Sequence, residues 1–213
     1  MKENNKQRNK VGIRKIAPPN YLIVCEGKET EPNYFNGLKQ KINEKYRDKI
    51  NVVIPDIKVK GTGLNTEDLV NYTKRYINHS SKMYGQVWIV FDKDDYSDKQ
   101  FNNAIKTNEY KSAWSNPNFE IWILSHFKLV TNRITKNETL EKVKKEFKNN
   151  DLGEYKKNDK DIFKKLNLNG KLDKAIKNCK KMYENLQEIS NKSDKNPSTL
   201  VFMLVEELKD YII

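Results

Sequence analysis

The amino-acid sequence predicts an α/β fold, in which a mostly parallel sheet is flanked by helices and followed by a C-terminal helical extension. Strand-length apolar runs alternate with amphipathic segments over roughly the first 115 residues, a pattern typical of a parallel sheet covered on both faces. The remaining residues form Lys-rich segments with helical apolar spacing. We therefore expect a flexible basic arm over residues 1–18, an α/β core over 19–130, and a helical extension over 131–213 that packs on the core.

The elements of the core follow from hydrophobic periodicity. The predicted strands lie within residues 21–25, 50–59, 87–91 and 111–115. The predicted helices cover about 32–45, 66–77 and 101–110. Pro55 favours an edge position or a bulge for the second strand, and Asn65 or Thr66 can cap the second helix. The run VWIVF at 87–91 is apolar throughout, which predicts a central buried strand.

Three features define the elements of the second half. Residues 116–127, NPNFEIWILSHF, are apolar almost all round and predict a buried helix opened by Pro117. Residues 137–190 predict Lys-rich helices. A last helix is expected after Asn196, with Asn196 as N-cap and Pro197 in the first helical position.

The chain is strongly basic, with 41 Lys and Arg against 29 Asp and Glu and a net charge of +12. Such a balance favours a polyanionic partner, either nucleic acid or an anionic membrane surface, and Arg14 and Lys15 of the basic arm are candidate nucleic-acid contacts. A Lys- and Asn-rich composition bias is the competing explanation.

The cysteine content and the hydropathy pattern exclude other classes. Cys25 and Cys179 are far apart and form no ligand cluster, so structural zinc and a disulfide scaffold are not expected. No apolar run approaches the roughly 20 residues that span a bilayer. These features predict a cytoplasmic protein without a membrane partner.

Acidic residues follow two of the predicted strands. Glu26 follows the first strand, and Asp92 and Asp94 follow the run at 87–91. If that strand continues, Asp92 and Asp94 share one side, where their repulsion requires a cation. Oxygen ligands suit Mg²⁺ or Mn²⁺. The alternative is that these acids cap the next helix, and for Asp95 we favour that alternative.

A further acid, Glu120, lies inside the predicted buried helix. A buried carboxylate without a partner is costly, so Glu120 requires the active site or a structural salt bridge. We expect His126 to be a hydrogen-bonded core residue and His79 to lie at the surface.

Four motifs carry a resemblance to a known family. IVCEGKETEPNYF, VFDKDD, SNPNFEIWILSHF and NPSTLVFMLV, in this order, resemble the RloB-like family with its Toprim fold, from about Tyr21 to Leu208. The resemblance implies a Toprim-like catalytic core and a nuclease of restriction-modification and phage-defence loci, often beside an ATPase. The more usual EGEKTE reads EGKETE here, with Lys28 and Glu29 exchanged.

The resemblance also implies roles for individual residues. The Toprim glutamate falls on Glu26 and the paired aspartates fall on Asp92 and Asp94. Glu31 occupies a position where related nucleases hold a further acid that contributes to a second metal. An acid in the first turn of a helix, stabilised by the helix dipole, is the alternative for Glu31.

The predicted function is metal-dependent phosphodiester hydrolysis of RNA or DNA. The candidate catalytic and metal-binding residues are Glu26, Asp92, Asp94 and Glu120. Glu26 can instead act as general base. Lys28 and Lys93 are candidate phosphate contacts, with a solvated surface as the alternative for each. The rival functions are a non-catalytic module that docks an ATPase or senses a nucleotide, and a nucleotidyl transfer activity; oligomers are possible.

Overall fold

A computed structural model describes residues 19–49, 52–94, 96–107, 109–168 and 171–212, without the side chains at 66, 67 and 107. The predicted basic arm with Arg14 and Lys15, and also Asp95, lie outside the described residues.

A mostly parallel sheet forms the centre of the molecule, which confirms the predicted α/β fold. Its strands within the described residues are β1 (Tyr21–Cys25), β2 (Ile57–Gly61), β3 (Gln86–Asp92), β4 (Lys111–Asn116) and β5 (Ser198–Thr199). The order in the sheet is β2-β1-β3-β4-β5. The first four strands are parallel, and β5 is antiparallel to β4. The run at 87–91 therefore lies in the middle strand, as predicted.

The helices flank this sheet. They are α1 (Thr30–Tyr46), α2 (Thr66–Asn78), α3 (Asp98–Thr107), α4 (Glu120–Ser125), α5 (Lys136–Asn149), α6 (Ile162–Leu166), α7 (Lys171–Glu184) and α8 (Val201–Ile212). A 3₁₀ turn covers Lys192–Asp194. None of these described helices combines the length and the apolar character that crossing a membrane requires.

Two hydrophobic layers cover the two faces of the sheet, because successive side chains of a strand point to opposite sides. Ile23 of β1 belongs to the larger layer, which packs against α1 and α4 to α8. Leu22 and Val24 belong to the smaller layer, which contains Leu69 of α2 and Phe101 of α3. Helices thus lie on both faces, as the alternation of elements predicts.

The second strand differs in position from the prediction. Residues 52–56 form no strand, and β2 begins at Ile57, two residues after Pro55. The edge position is confirmed, since β2 pairs with β1 alone. Proline cannot donate to a ladder, and here it lies just outside the strand. The predicted cap of α2 is also confirmed, because the Asn65 side chain accepts a hydrogen bond from the Asp68 N–H.

Two predicted helix starts are wrong. The helix α4 begins at Glu120, not at Pro117, because the Phe119 N–H donates to the Asp92 carboxylate and holds the preceding residues as a turn. Asn196 is not a helix cap, and α8 begins only at Val201. The Asn196 amide instead bridges the backbone N–H and C=O of Ile134, at 2.9 Å each. The residues after Pro197 form β5 at the edge of the sheet.

Candidate functional site

Four carboxyl groups lie near enough to influence one another's charge at the carboxyl ends of the two central parallel strands. Glu26 follows β1, Asp92 ends β3, Glu31 lies in the first turn of α1, and Glu120 begins α4. We call these four residues the acidic cluster. In open α/β sheets, ligands bind at this edge, beyond the carboxyl ends of the strands.

Glu26 is held across the gap between β1 and β3. Its backbone N–H donates to Val90 O at 2.9 Å, so the residue continues the direction of the strand. One carboxylate oxygen accepts from the Asp92 N–H at 3.1 Å, and the other accepts from the Tyr96 hydroxyl at 2.5 Å. The carboxylate is therefore fixed beside Asp92 by two donors.

Glu31 is buried, with 7% of its surface exposed. Its carboxylate lies directly against Gly27, where a Cβ would overlap both carboxylate oxygens. The pKa of Glu31 is raised to about 7, chiefly by burial and also by the negative charges of Glu120 and Glu26, while its own backbone N–H and Lys157 act in the opposite direction. A glycine at 27 is thus required for this carboxyl group to enter the cluster.

Asp92 has one satisfied and one unsatisfied carboxylate oxygen. Oδ2 accepts from the Phe119 N–H at 3.1 Å. Oδ1 is shielded from solvent and has no hydrogen-bond partner among the described residues. Burial raises the pKa of Asp92 well above its usual range, and so do the charges of Glu31, Glu120 and Glu26. A cation next to Oδ1 would relieve both the missing contact and the repulsion.

Glu120 lies at the buried side of the cluster, with 3% of its surface exposed. The Tyr155 hydroxyl donates to its Oε1 at 3.0 Å, and the Lys157 ammonium lies 3.7 Å from the same oxygen. The segment that carries both residues is tied to the start of α1, because the Thr30 hydroxyl donates to Lys157 O at 3.1 Å. The predicted salt bridge of Glu120 is therefore present, and the same carboxylate belongs to the acidic cluster.

Asp94 is not brought into the cluster. The strand β3 ends at Asp92, and the Asp94 N–H donates to Pro117 O at 3.0 Å, which turns the chain away. Its carboxylate pairs with the Lys136 ammonium at 2.5 Å. The alternation that would place Asp92 and Asp94 on one side does not apply beyond the end of the strand.

The two predicted lysine contacts have different surroundings. Lys93 donates to Tyr96 O at 2.6 Å and pairs with Asp98 at 3.1 Å, so its ammonium fastens the loop before α3. Lys28 is exposed, and its side chain lies over Gly63, which has a φ of +69°.

The first turn of α3 is capped by Ser97, whose hydroxyl accepts from the Gln100 N–H at 3.3 Å.

The two histidines lie as predicted. His126 is fully buried, and its Nδ1 lies 3.0 Å from Trp122 O. Burial lowers the pKa of His126 to about 4. His79 is exposed at the end of α2.

The donor set of the cluster consists of oxygens, which suits Mg²⁺ or Mn²⁺. Within the described ranges, no three His, Cys, Asp or Glu side chains already converge as a metal site. The unsatisfied Oδ1 of Asp92 is the observation that fits a bound cation. The two described cysteines, Cys25 and Cys179, are both buried and free.

The fold and the cluster define an α/β protein with carboxylates at the carboxyl edge of a parallel sheet. The family model described as RloB-like protein matches residues 21–208. The chain belongs to the RloB-like family, as its motifs predict. Comparison with curated proteins and with solved structures gave no match.

Proposed function

We propose that this protein is a metal-dependent nuclease that hydrolyses phosphodiester bonds of RNA or DNA. The observation that carries the proposal is the acidic cluster, in which buried carboxyl groups raise one another's pKa and Asp92 Oδ1 has no partner among the described residues. The sequence motifs resemble those of a family with the Toprim fold, and the position of Glu26 and Asp92 at the edge of the sheet agrees with that resemblance.

In this proposal, Glu26, Asp92 and Glu120 would hold one or two Mg²⁺ ions, with Glu31 beside them. The bound metal would supply polarisation of the scissile phosphate and a lower pKa for an attacking water. Asp94 would join the ligands only by leaving Lys136, so we assign it a lesser part than Asp92.

The surrounding residues orient the acids and balance charge. Tyr96 donates a hydrogen bond to Glu26 and Tyr155 donates one to Glu120, so each of these two carboxylates is oriented by a tyrosine. Lys157 is half-exposed beside Glu120 and is placed to stabilise negative charge on a phosphate oxygen. Glu31, whose burial raises its pKa to about 7, is suited to accept a proton from water near neutral pH.

Comparison of two aspartate variants tests the proposal. Asp92→Asn should lower cleavage of RNA or DNA about a hundredfold or more with Mg²⁺ present, because it removes charge at the unsatisfied position. Asp94→Asn, the matched control two residues away, should stay within about tenfold of wild type. Cleavage that survives in Asp92→Asn would contradict the catalytic assignment, provided that circular dichroism shows both variants folded.

Action in antiphage defence with a partner ATPase belongs to the same proposal, because the family resemblance implies it. A non-catalytic module that docks the ATPase is the second candidate. The ion pairs Lys136–Asp94 and Lys157–Glu120 favour it, since they give two acids protein partners. Wild-type protein that binds the ATPase but cleaves neither RNA nor DNA, with the ATPase and Mg²⁺ present, would support this candidate.

A further inference from the structure

A polar groove lies next to the acidic cluster, at the carboxyl ends of β3 and β4. Its volume is about 470 Å³. Its lining includes Lys93, Asp94, Asp98, Asn116, Arg133 and Lys136. Asp92 ends β3 and Asp94 lines the groove two residues later, so the cluster and the groove are neighbours along one edge of the sheet.

Three positive and two negative side chains line the groove. Lys93 and Lys136 each pair with an aspartate, Asp98 and Asp94 respectively. Arg133 is exposed and forms no ion pair or side-chain hydrogen bond within the part of the chain that the structure describes. Its guanidinium is therefore available, and it presents a planar fork that matches two phosphate oxygens.

Two backbone amides at the start of α5 are already paired within the chain. The Glu138 N–H donates to the Thr135 hydroxyl at 3.3 Å, and the Thr135 N–H donates to the Glu138 carboxylate at 2.8 Å. This capping box already uses both amides. Among the described basic side chains of the groove, Arg133 is the donor that needs no exchange of partners to bind an anion.

We propose that this groove binds the phosphodiester backbone of the nucleic acid next to the scissile phosphate, with Arg133 as its principal contact. The inference rests on the proposed function, which places the scissile phosphate at the acidic cluster. The volume of the groove lies within the range of small-ligand sites. In this proposal the basic side chains of the groove contact phosphate groups, which hold a strand in place without reading its sequence. The bound strand would run along the carboxyl edge of the sheet, from β1 towards β4 and α5.

Charge reversal at two arginines tests the groove. Arg133→Glu and the control Arg75→Glu change the net charge equally, and Arg75 is an exposed residue of α2, which packs on the other face of the sheet. Fluorescence anisotropy with short RNA and DNA strands is measured in EDTA over a series of NaCl concentrations. Arg133→Glu should weaken binding about tenfold or more and lower the salt slope by about 1, while Arg75→Glu stays within about threefold.

The outcomes separate this inference from the proposed function. Equal weakening in both variants, or weakening in neither, overturns the groove. Selective weakening in Arg133→Glu together with an absence of cleavage in wild type supports the groove and overturns the nuclease proposal. Normal binding by Arg133→Glu together with a loss of cleavage in Asp92→Asn overturns the groove alone. Wild-type protein that binds neither RNA nor DNA overturns both.

Discussion

Replacement of Glu31 by glutamine should stabilise the metal-free protein at pH 8. Burial and the neighbouring carboxylates raise the pKa of Glu31 from its ordinary 4.5 to about 7, so the folded protein ionises this group with more difficulty than the unfolded chain does. Its contribution to stability is complete below pH 4.5 and is lost as the pH rises through 7. The difference in pKa corresponds to about 3 kcal/mol of unfolding free energy.

Urea unfolding of wild type and Glu31→Gln in EDTA, at pH values from 4.5 to 8, measures this effect. The two proteins should be about equally stable at pH 4.5, and the variant should lead by up to about 3 kcal/mol at pH 8. Saturating Mg²⁺ should reduce or reverse the lead, because the ionised carboxyl group then has a cation nearby. Glu29→Gln, at an exposed position in the loop before α1, is the control and should show no such trend. A difference that stays constant over this pH range would refute the reasoning.

Three other test substitutions, two of them with a control, concern the acidic cluster, the core and the N-cap of α5. Gly27→Ala should lower Mg²⁺ affinity about tenfold or more in calorimetry, because a Cβ would displace the Glu31 carboxylate. The control is Gly153→Ala, at a φ of +79° with open space around it, which should leave the Mg²⁺ affinity unchanged and cost only about 1 kcal/mol of stability. Equal Mg²⁺ affinities in the two variants would contradict the inferred contact between position 27 and the Glu31 carboxylate. Burial lowers the pKa of His126 to about 4, so wild type should lose up to about 3 kcal/mol more unfolding free energy than His126→Gln as the pH falls from 6.5 to 4. Parallel profiles of unfolding free energy against pH, measured with urea, would contradict this. Thr135→Ala should lower the free energy of unfolding by about 1 kcal/mol and Tm by about 2–4 °C, because it removes the capping box of α5. The control Thr135→Ser keeps the hydroxyl and should not lower Tm. Equal melting temperatures of the two variants would contradict a stabilising capping box.

The parts of the fold that depend on local patterns could be predicted from the sequence. The apolar runs at 21–25 and 87–91 are buried strands, and Asn65 caps α2 as its residue type suggests. The two residues of β5 could not be predicted, because a strand this short has no periodicity and forms only by pairing with β4. The start of α4 was mispredicted because the preference of proline for a first turn is weaker than the contact between Phe119 N–H and Asp92.

The candidate site shows the same division. Glu26 and Asp92 follow buried strands, and this position alone predicts that they meet. Asp94 seemed equivalent to Asp92 only as long as β3 was assumed to continue. The contacts of Tyr155 and Lys157 with Glu120 join residues about 35 positions apart, and the sequence carries no local signal for them. A buried acid without a local partner was the one indirect signal.

The contacts of Tyr155 and Lys157 with Glu120 have a consequence for the folding of the chain during translation. A nascent chain that has emerged through Glu120 carries all four acids of the cluster, but neither the tyrosine nor the lysine that contacts the last of them. The strand β4 also gains its pairing with β5 only after Ser198 and Thr199 have been made. Glu120 can therefore gain these two contacts only after the chain has been made through Lys157, and a shorter translation product would lack them.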